Sequence, residues 1–407
     1  MIGLPLSLVL LLGLAGAQMA RAVPDPALRT GADASSYTFD GRFDLPWPAK
    51  GQGAVQVRGV GGIGTFGDPR PVPTASVAKV MTAYVILQDH PLRKDEAGPG
   101  IEVDAKAVAD GRAEDESRIE GLAVGARYSQ LDMLKMLMIP SGNNVARLLA
   151  RWDGGSDSEA AFVRKMNEAA QRLGMKDTVY TDPSGLDAKT VSTAVDQLKL
   201  AEAVMKSDAF RPIVTLPNAT LKGLTKPLNN NNDDLLLSGL SIKGIKTGSS
   251  SAAGGALMWA AYKSVGDATP LILGTMMDQH ADGPDHNALN SLALVKANSK
   301  KVIEAVRDAL TSVVAVHKGQ TVGYVDDGLG GRTPLVATED LRLIGVPGHE
   351  AALTLDDGGK SPPRSAKAGS RVGRLTLDGV ADAPGVPVAL EQDLAPPSLG
   401  SRLIRLR

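Results

Sequence analysis

The sequence contains no cysteine, and aromatic residues make up only 3% of its 407 residues. The absence of cysteine excludes a disulfide framework, a thiol nucleophile and cysteine-ligated zinc. Neither sign of charge is in excess, because the formal net charge is −1 at pH 7, and this argues against a nucleic-acid partner. With so few aromatic side chains, the hydrophobic cores must be built from Ala, Val, Leu, Ile and Met.

A long hydrophobic run lies at the N-terminus, from Ile2 to Ala17, although no basic residue precedes it. It is followed by Ala20-Arg21-Ala22, a pattern typical of a signal-peptidase cleavage site. Residues 1–22 are therefore predicted to be a signal peptide or an uncleaved membrane anchor, and either one exports the chain. Residues 23–45 show no periodicity and are predicted to be a linker.

The rest of the chain divides into two parts with different sequence patterns, and the length of the chain allows two or three domains. Residues 46–315 combine helical and strand patterns, with three consecutive strand patterns late in the segment and a helical pattern over residues 289–314. This order predicts an α/β sandwich, a mainly antiparallel sheet with helices on both faces. Residues 316–407 contain short strand patterns separated by Gly and Pro clusters, which predict a small all-β domain.

A hydrophobic helical stripe that starts at Val77 places Ser76 and Lys79 one turn apart on the same face. Pro73 and Thr74 predict the helix start, with Thr74 as the N-cap. The backbone N–H of Ser76 would then be free to face an oxyanion. The positive helix end and burial would disfavour protonated Lys79, so that a neutral amine takes the serine's proton. The alternative is that Ser76 is a second cap residue and Lys79 a solvated surface lysine.

Two further short motifs follow in the chain. Ser141-Gly142-Asn143 lies in the joint between two predicted helices, and Lys246-Thr247-Gly248 ends a predicted strand. A glycine at a strand end permits close approach of the backbone to a ligand. The charge run over residues 112–120 is predicted to be a solvated face, and residues 280–286 (HADGPDH) a solvated loop rather than a metal site.

Together the three motifs, in this order and in these contexts, resemble those of the penicillin-binding proteins and serine β-lactamases. The sequence around the motifs resembles that of the low-molecular-mass D-alanyl-D-alanine carboxypeptidases. The matching segments are Ser76-Val-Ala-Lys-Val-Met-Thr-Ala-Tyr, Ser141-Gly-Asn-Asn, Asp182-Pro-Ser-Gly-Leu and Gly244-Ile-Lys-Thr-Gly. The resemblance covers about residues 45–315 and implies a β-lactamase/transpeptidase-like fold.

The resemblance also implies a catalytic role for three residues. Ser76 would be the nucleophile that forms the acyl-enzyme, and Lys79 would be its base. Ser141 would relay a proton to the leaving D-alanine.

For substrate binding, the resemblance implies that Asn143 orients the peptide. It also implies that Lys246 holds Ser141 in place and maintains the local electrostatic field. Thr247 would bind the substrate's terminal carboxylate, beside Gly248. The backbone N–H groups of Ser76 and Ser249 would form the oxyanion hole.

The implied function is a serine-type D-Ala-D-Ala carboxypeptidase outside the cytoplasm, which trims peptidoglycan stem peptides and is acylated by β-lactams. The expected partners are the stem peptide, β-lactams and, through an uncleaved N-terminal segment, the membrane; no nucleic acid, cofactor or metal is implied. Two alternatives remain: a non-catalytic wall-binding or β-lactam-sensing protein, and a serine β-lactamase. The sequence departs from the family at Asn144, where an acidic residue is common, and at the small, polar stretch of residues 249–253, so a difference is expected in substrate preference.

Overall fold

The structure is a computed structural model that describes residues 13, 16–155, 158–380 and 385–404. The chain forms two compact units, one from Asp44 to Leu310 and one that combines the described residues up to Phe43 with those from Thr311 onwards. Most of the predicted signal or anchor segment, residues 1–22, lies outside the described residues. Among the helices that are described, none has both the length and the apolar character needed to span a bilayer.

The strands and helices are numbered in chain order. The strands are β1 Ala27–Thr30, β2 Ser36–Thr38, β3 Gln52–Val57, β4 Gly61–Phe66, β5 Val72–Pro73, β6 Gly100–Glu102, β7 Arg127–Ser129, β8 Val191–Ser192, β9 Asn218–Ala219, β10 Leu228–Asn229, β11 Ile242–Ser250, β12 Gly254–Tyr262, β13 Leu271–Gln279, β14 Thr311–Val316, β15 Thr321–Asp326, β16 Arg332–Ala337, β17 Leu341–Gly345, β18 Glu350–Asp356, β19 Arg371–Leu377 and β20 Gly385–Leu390. The α-helices are α1 Lys79–Asp89, α2 Ala105–Asp110, α3 Gln130–Met138, α4 Asn143–Gly154, α5 Ala160–Arg172, α6 Ala194–Val204, α7 Phe210–Val214, α8 Asp233–Leu236, α9 Leu289–Ala309 and α10 Leu399–Ile404. Short 3₁₀ turns cover Ala32–Ala34, Ala75–Ala78 and His286–Ala288.

The unit from Asp44 to Leu310 is built on a five-stranded sheet in the order β11-β12-β13-β3-β4. Each neighbouring pair of strands in it is antiparallel. Because successive residues of a strand face opposite sides, β12 contributes to two layers. Its residues Ala256, Met258 and Ala260 join the core shared with α1, α3, α4 and α5. The predicted α/β sandwich with an antiparallel sheet is therefore confirmed.

The opposite face of this sheet is covered by α9. A Cβ on Gly255 of β12 would lie 2.1 Å from the carbonyl oxygen of Ser291 on α9, so the glycine lets the helix approach the strand closely. The sequence predicts that this helix continues to Val314, but α9 ends at Ala309 and residues 311–316 form β14. The segment Thr-Ser-Val-Val-Ala-Val is rich in β-branched residues, which favour a strand over a helix.

The second unit contains a seven-stranded antiparallel sheet, in the order β1-β15-β16-β20-β19-β18-β2, and the antiparallel pair β14–β17, with its own hydrophobic core. The sequence places residues 23–45 in a linker, whereas two segments of this stretch are strands. Ala27–Thr30 pairs with β15, and Ser36–Thr38 pairs with β18. Both strands are too short to show a period-2 pattern, and their stability comes from pairing with distant strands rather than from local sequence.

Candidate active site

Ser76 lies in the 3₁₀ turn Ala75–Ala78, three residues before α1 begins at Lys79. The predicted N-cap is wrong, because the side chain of Thr74 caps no backbone N–H group. Its backbone is helical rather than extended (φ −91°, ψ −17°), and an extended backbone is what lets a cap side chain reach back to the helix. The Thr74 N–H donates instead to the carbonyl of Thr190, 3.1 Å away. The nucleophile candidate is thus held in a tight turn that is anchored from outside the helix.

Lys79 is completely buried, with 0% of its side chain exposed, so it is not a solvated surface lysine. Its Nζ lies 2.9 Å from Ser76 Oγ and donates to the carbonyl oxygen of Ser184 at 2.8 Å. Burial, and then the positive charge of Lys246, hold the pKa of Lys79 well below its ordinary value of 10.5. A neutral amine that donates to Ser184 keeps a lone pair for the Ser76 hydroxyl proton, which is the arrangement a base requires.

The Ser184 carbonyl belongs to a turn, residues 182–187, that packs against the Ser76 segment. Asp182 Oδ2 accepts hydrogen bonds from the backbone N–H and the hydroxyl of Ser184, at 3.1 and 2.6 Å. Gly185 has φ +78°, and a Cβ there would lie 1.8 Å from the carbonyl oxygen of Ala75. The segment Asp182-Pro-Ser-Gly-Leu matches the family in sequence, but no pattern in it predicts a contact with Lys79. This turn fixes the position of the amine.

We expect Gly185→Ala to destabilise the protein by about 2–4 kcal/mol, because it adds both backbone strain and a clash with Ala75. Urea unfolding measures the loss. The matched control is Gly174→Ala, since Gly174 also has a left-handed backbone (φ +68°) but a Cβ there would meet nothing within 4 Å. The control should lose only about 1 kcal/mol from strain. Equal losses at the two positions would show that close packing at Gly185 contributes nothing.

Ser141 and Asn143 flank the joint between α3 and α4. Ser141 is 1% exposed and has φ +70°, a backbone conformation that few residues other than glycine adopt. Within the described part of the chain, neither its Oγ nor Asn143 Oδ1 has a hydrogen-bond partner, although both atoms are buried. Buried polar atoms are normally paired, so two unpaired ones in one short segment indicate groups reserved for a ligand or a reaction step.

The Lys246-Thr247-Gly248 motif lies on β11, the edge strand nearest the Ser76 turn. A Cβ on Gly248 would lie 3.0 Å from the backbone nitrogen of Ser76, so the strand and the turn approach each other closely because residue 248 is glycine. Lys246 is 2% exposed and its Nζ donates to the Thr247 carbonyl at 2.9 Å. Burial lowers the pKa of Lys246 to about 7.

A cleft of about 460 Å³ brings together Ser76 and Asn143, from the first two motifs, and Ser249, the residue that follows the third motif. Lys79 reaches this cleft through Ser76, while Lys246 acts on Lys79 through its charge. Among the described residues, neither Ser141 nor Thr247 makes a side-chain hydrogen bond to Ser76 or Lys79. Ser141 belongs to the joint between α3 and α4, and Thr247 belongs to β11.

The charge run of residues 112–120 is not simply a solvated face. Glu116 and Ser117 line the cleft, and the Ser117 carbonyl accepts from the backbone N–H of Asn143 at 2.8 Å. Glu116 Oε2 accepts from Asn143 Nδ2 at 2.6 Å. The sequence does not identify these residues as part of the site, because a run of mixed charges looks the same on an open surface and at a cleft wall. Their contacts with Asn143 depend on tertiary structure alone.

Asn144 holds this loop in place and does not line the cleft. It is 1% exposed; its Oδ1 accepts from the Ile119 N–H at 3.0 Å, and its Nδ2 donates to the carbonyls of Ile119 and Ala107 at 3.0 and 3.1 Å. The sequence departure at this position was expected to affect substrate preference. Its amide forms hydrogen bonds with backbone atoms and so holds the loop in place, while an effect on substrate preference stays a prediction.

The family model described as "D-alanyl-D-alanine carboxypeptidase" matches residues 68–279. The D-alanyl-D-alanine endopeptidase of Pseudomonas aeruginosa is 36% identical over 151 residues, which cover 37% of this chain and 45% of that protein. The D-alanyl-D-alanine carboxypeptidase DacD of Escherichia coli is 28% identical over 315 residues, which cover 74% of this chain and 75% of that protein. The chain thus matches less than half of the length of the first relative and three quarters of the second.

Solved structures have the same fold. The Streptomyces K15 DD-transpeptidase aligns with a TM-score of 0.54 at 25% identity, covering 65% of this chain and 98% of that protein. Penicillin binding protein 5 of Haemophilus influenzae aligns with a TM-score of 0.58 at 18% identity, covering 87% of this chain. At that identity the second likeness concerns the fold alone.

Proposed function

Because the chain belongs to the D-alanyl-D-alanine carboxypeptidase family, we propose that it is a serine peptidase that removes the terminal D-alanine from peptidoglycan stem peptides. The observation that carries this proposal is the contact between Ser76 Oγ and the buried Lys79 amine, 2.9 Å apart, at the edge of a cleft. A serine hydroxyl becomes an effective nucleophile when a positioned neutral base takes its proton.

In the proposed reaction, Lys79 accepts the Ser76 proton while Ser76 Oγ attacks the carbonyl carbon of the penultimate D-alanine. The negative oxygen that forms accepts hydrogen bonds from the backbone N–H groups of Ser76 and Ser249. The C–N bond then breaks, and the leaving amine of the terminal D-alanine takes a proton relayed through Ser141. Water hydrolyses the ester on Ser76, which releases the shortened peptide and restores the serine.

We propose that Lys246 and Thr247 bind the terminal carboxylate of the substrate. Lys246 supplies a cation in a buried place, where its interaction with an anion is screened less than in water. Thr247 adds a hydroxyl donor. Lys246 has a pKa of about 7, so in the enzyme without substrate it loses its charge as the pH rises through neutrality. The KM for the peptide is therefore expected to increase above this pH.

Thr247→Val should lower kcat/KM for a peptide ending in free D-Ala-D-Ala by roughly ten- to a hundredfold, since a hydrogen bond to a charged group contributes about 1.5–3 kcal/mol. The loss should be small for the C-terminal amide of the same peptide, which has no charge. Release of the terminal residue from each peptide measures both values. Comparable losses on the two peptides would mean that Thr247 acts through structure and not on the carboxylate.

The same pair of peptides tests a second candidate, an endopeptidase, which the 36% identical relative of that name favours. A wild-type enzyme that cuts the amide as fast as the free acid would support this candidate.

Two further outcomes would replace the carboxypeptidase as the proposed function. A penicillin adduct that persists for hours without peptide cleavage would indicate a sensor. Rapid penicillin turnover without peptide cleavage would indicate a β-lactamase.

We also propose that the protein acts outside the cytoplasm, where stem peptides are found, and that residues 1–22 export it.

A further inference from the structure

Asp182 is connected to Lys79 through Ser184, whose carbonyl accepts a hydrogen bond from the Lys79 amine at 2.8 Å. Oδ2 of Asp182 accepts from the backbone N–H and the hydroxyl of Ser184, at 3.1 and 2.6 Å, and from the N–H of Leu186 at 3.0 Å. Oδ1 accepts from the hydroxyl of Thr190 at 2.7 Å. All four donors are neutral, so they hold this half-buried carboxylate in place without cancelling its charge.

Four charged groups act on the Lys79 amine. Burial and then Lys246 on β11 lower the pKa of Lys79, and Arg147 on α4 adds to this effect. Asp182 and, less strongly, Glu116 raise it. Glu116 is itself paired with Arg147, through hydrogen bonds of 3.2 and 2.9 Å, so its charge is largely balanced. Of these four groups, Asp182 is therefore the unbalanced carboxylate.

The charge on Lys79 changes during acylation. The proton leaves Ser76 Oγ for the lone pair of Lys79 Nζ while Oγ bonds to the substrate carbonyl carbon, so the lysine becomes positive as the carbonyl oxygen becomes negative. A buried charge without a counter-charge is costly. Within the described part of the chain, the Lys79 amine hydrogen-bonds to Ser76 and to the Ser184 carbonyl, and no carboxylate touches it. Any counter-ion acts from a short distance.

We propose that Asp182 is a positioning residue that serves as the counter-ion of protonated Lys79, and that it does so through the Ser184 turn. It orients the carbonyl that holds the amine, and its negative charge stabilises the lysine as it becomes positive. This inference rests on the proposed peptidase function and deepens it, because it names the group that keeps a deeply buried lysine basic enough to take the serine's proton.

Asp182→Asn tests the proposal because it removes the charge and can keep the hydrogen bonds. The amide oxygen takes the place of Oδ2 and accepts from Ser184 and Leu186. The amide nitrogen takes the place of Oδ1 and donates to the Thr190 hydroxyl. That hydroxyl can then donate to Thr181 Oγ1, which lies 3.0 Å away.

The measurement is the rate of acylation by a chromogenic β-lactam, followed by stopped flow over a range of pH. In Asp182→Asn the rise of the rate should move to lower pH, since the charge that favours protonated Lys79 is gone. Above the rise, the rate should fall by roughly three- to thirtyfold, because the transition state loses its counter-ion. At the acid end the rates should agree within about twofold, since Lys79 is already charged there and Asp182 stabilises the starting state and the transition state alike.

Two further variants keep the test sharp, and thermal unfolding checks that each one is folded. Thr190→Val is the matched control, because it removes a hydrogen bond to Asp182 and leaves the charge. Any loss of rate in it should be the same at every pH. Asp182→Ser is a second neutral variant, whose hydroxyl can still support the turn, and its rise should move in the same direction as that of Asp182→Asn.

A rise that stays at the wild-type pH in the neutral variants, with or without a uniform loss of rate, would overturn the proposal and show that Asp182 only shapes the turn. A shift in Thr190→Val as large as that in Asp182→Asn would overturn it too, because hydrogen bonding and not charge would then set the profile. Failure of the proposed function has a different signature. The wild type would then release no D-alanine from a peptide ending in D-Ala-D-Ala, a measurement that does not involve the variants.

Discussion

Replacing Ser76 with alanine is expected to abolish covalent labelling by benzylpenicillin and to reduce peptide turnover by on the order of 10⁶-fold, a loss typical of removing a catalytic serine. The hydroxyl oxygen is the atom that forms the ester, and alanine offers no substitute. The fold should persist, because the change removes one atom from the edge of an open cleft. Gel fluorescence with a labelled penicillin measures the adduct, and thermal unfolding checks the fold.

Ser264→Ala serves as the control for this experiment, since Ser264 is exposed and lies away from the cleft. It should be labelled like the wild type. A penicillin adduct on Ser76→Ala would place the nucleophile elsewhere in the chain.

Lys79→Met is expected to lower the acylation rate by about 10²–10⁴-fold, the range that general-base catalysis contributes. Methionine keeps an unbranched side chain that is only one atom shorter, but it has no amine. The acylation rate of the wild type should rise with pH while Lys79 loses its proton, and should level off well below pH 10.5, because burial and Lys246 lower the pKa of Lys79. Stopped-flow acylation by a chromogenic β-lactam, followed against pH, measures both effects.

In Lys79→Met this rising limb should be absent. Lys206→Met, at an exposed lysine, provides the control and should retain both the acylation rate of the wild type and its rise with pH. An unchanged pH profile in Lys79→Met would assign the base to another group. Some loss of stability is expected as well, about 1–3 kcal/mol, because the buried Ser184 carbonyl loses its donor.

The sequence predicts the middle of the central sheet well because β12 and β13 carry long hydrophobic runs. The three consecutive strand patterns that the sequence shows late in residues 46–315 correspond to β11, β12 and β13. The predicted cap at Thr74 failed for a different reason. Its residue type and position fit a helix start, but a hydrogen bond to Thr190, more than a hundred residues away, sets its backbone.

Partners of the site residues were harder to predict than the site residues themselves. The acceptor for Lys79 is the backbone carbonyl of Ser184, and every residue has such a group, so no side-chain pattern marks it. Glu116 is one carboxylate in a run of mixed charges, and only the folded chain places it beside Asn143. Motifs identify residues by type and spacing, whereas these contacts depend on which loop meets which helix.

The central claim is that Ser76 forms an acyl-enzyme, and intact-mass spectrometry with peptide mapping tests it most directly. Wild-type protein is mixed with benzylpenicillin, sampled over time, digested and sequenced by mass. The account predicts a gain of one penicillin per chain, carried by the peptide that contains Ser76 and lost again as the ester hydrolyses. A chain that gains no mass, or an adduct located on a peptide without Ser76, would contradict it.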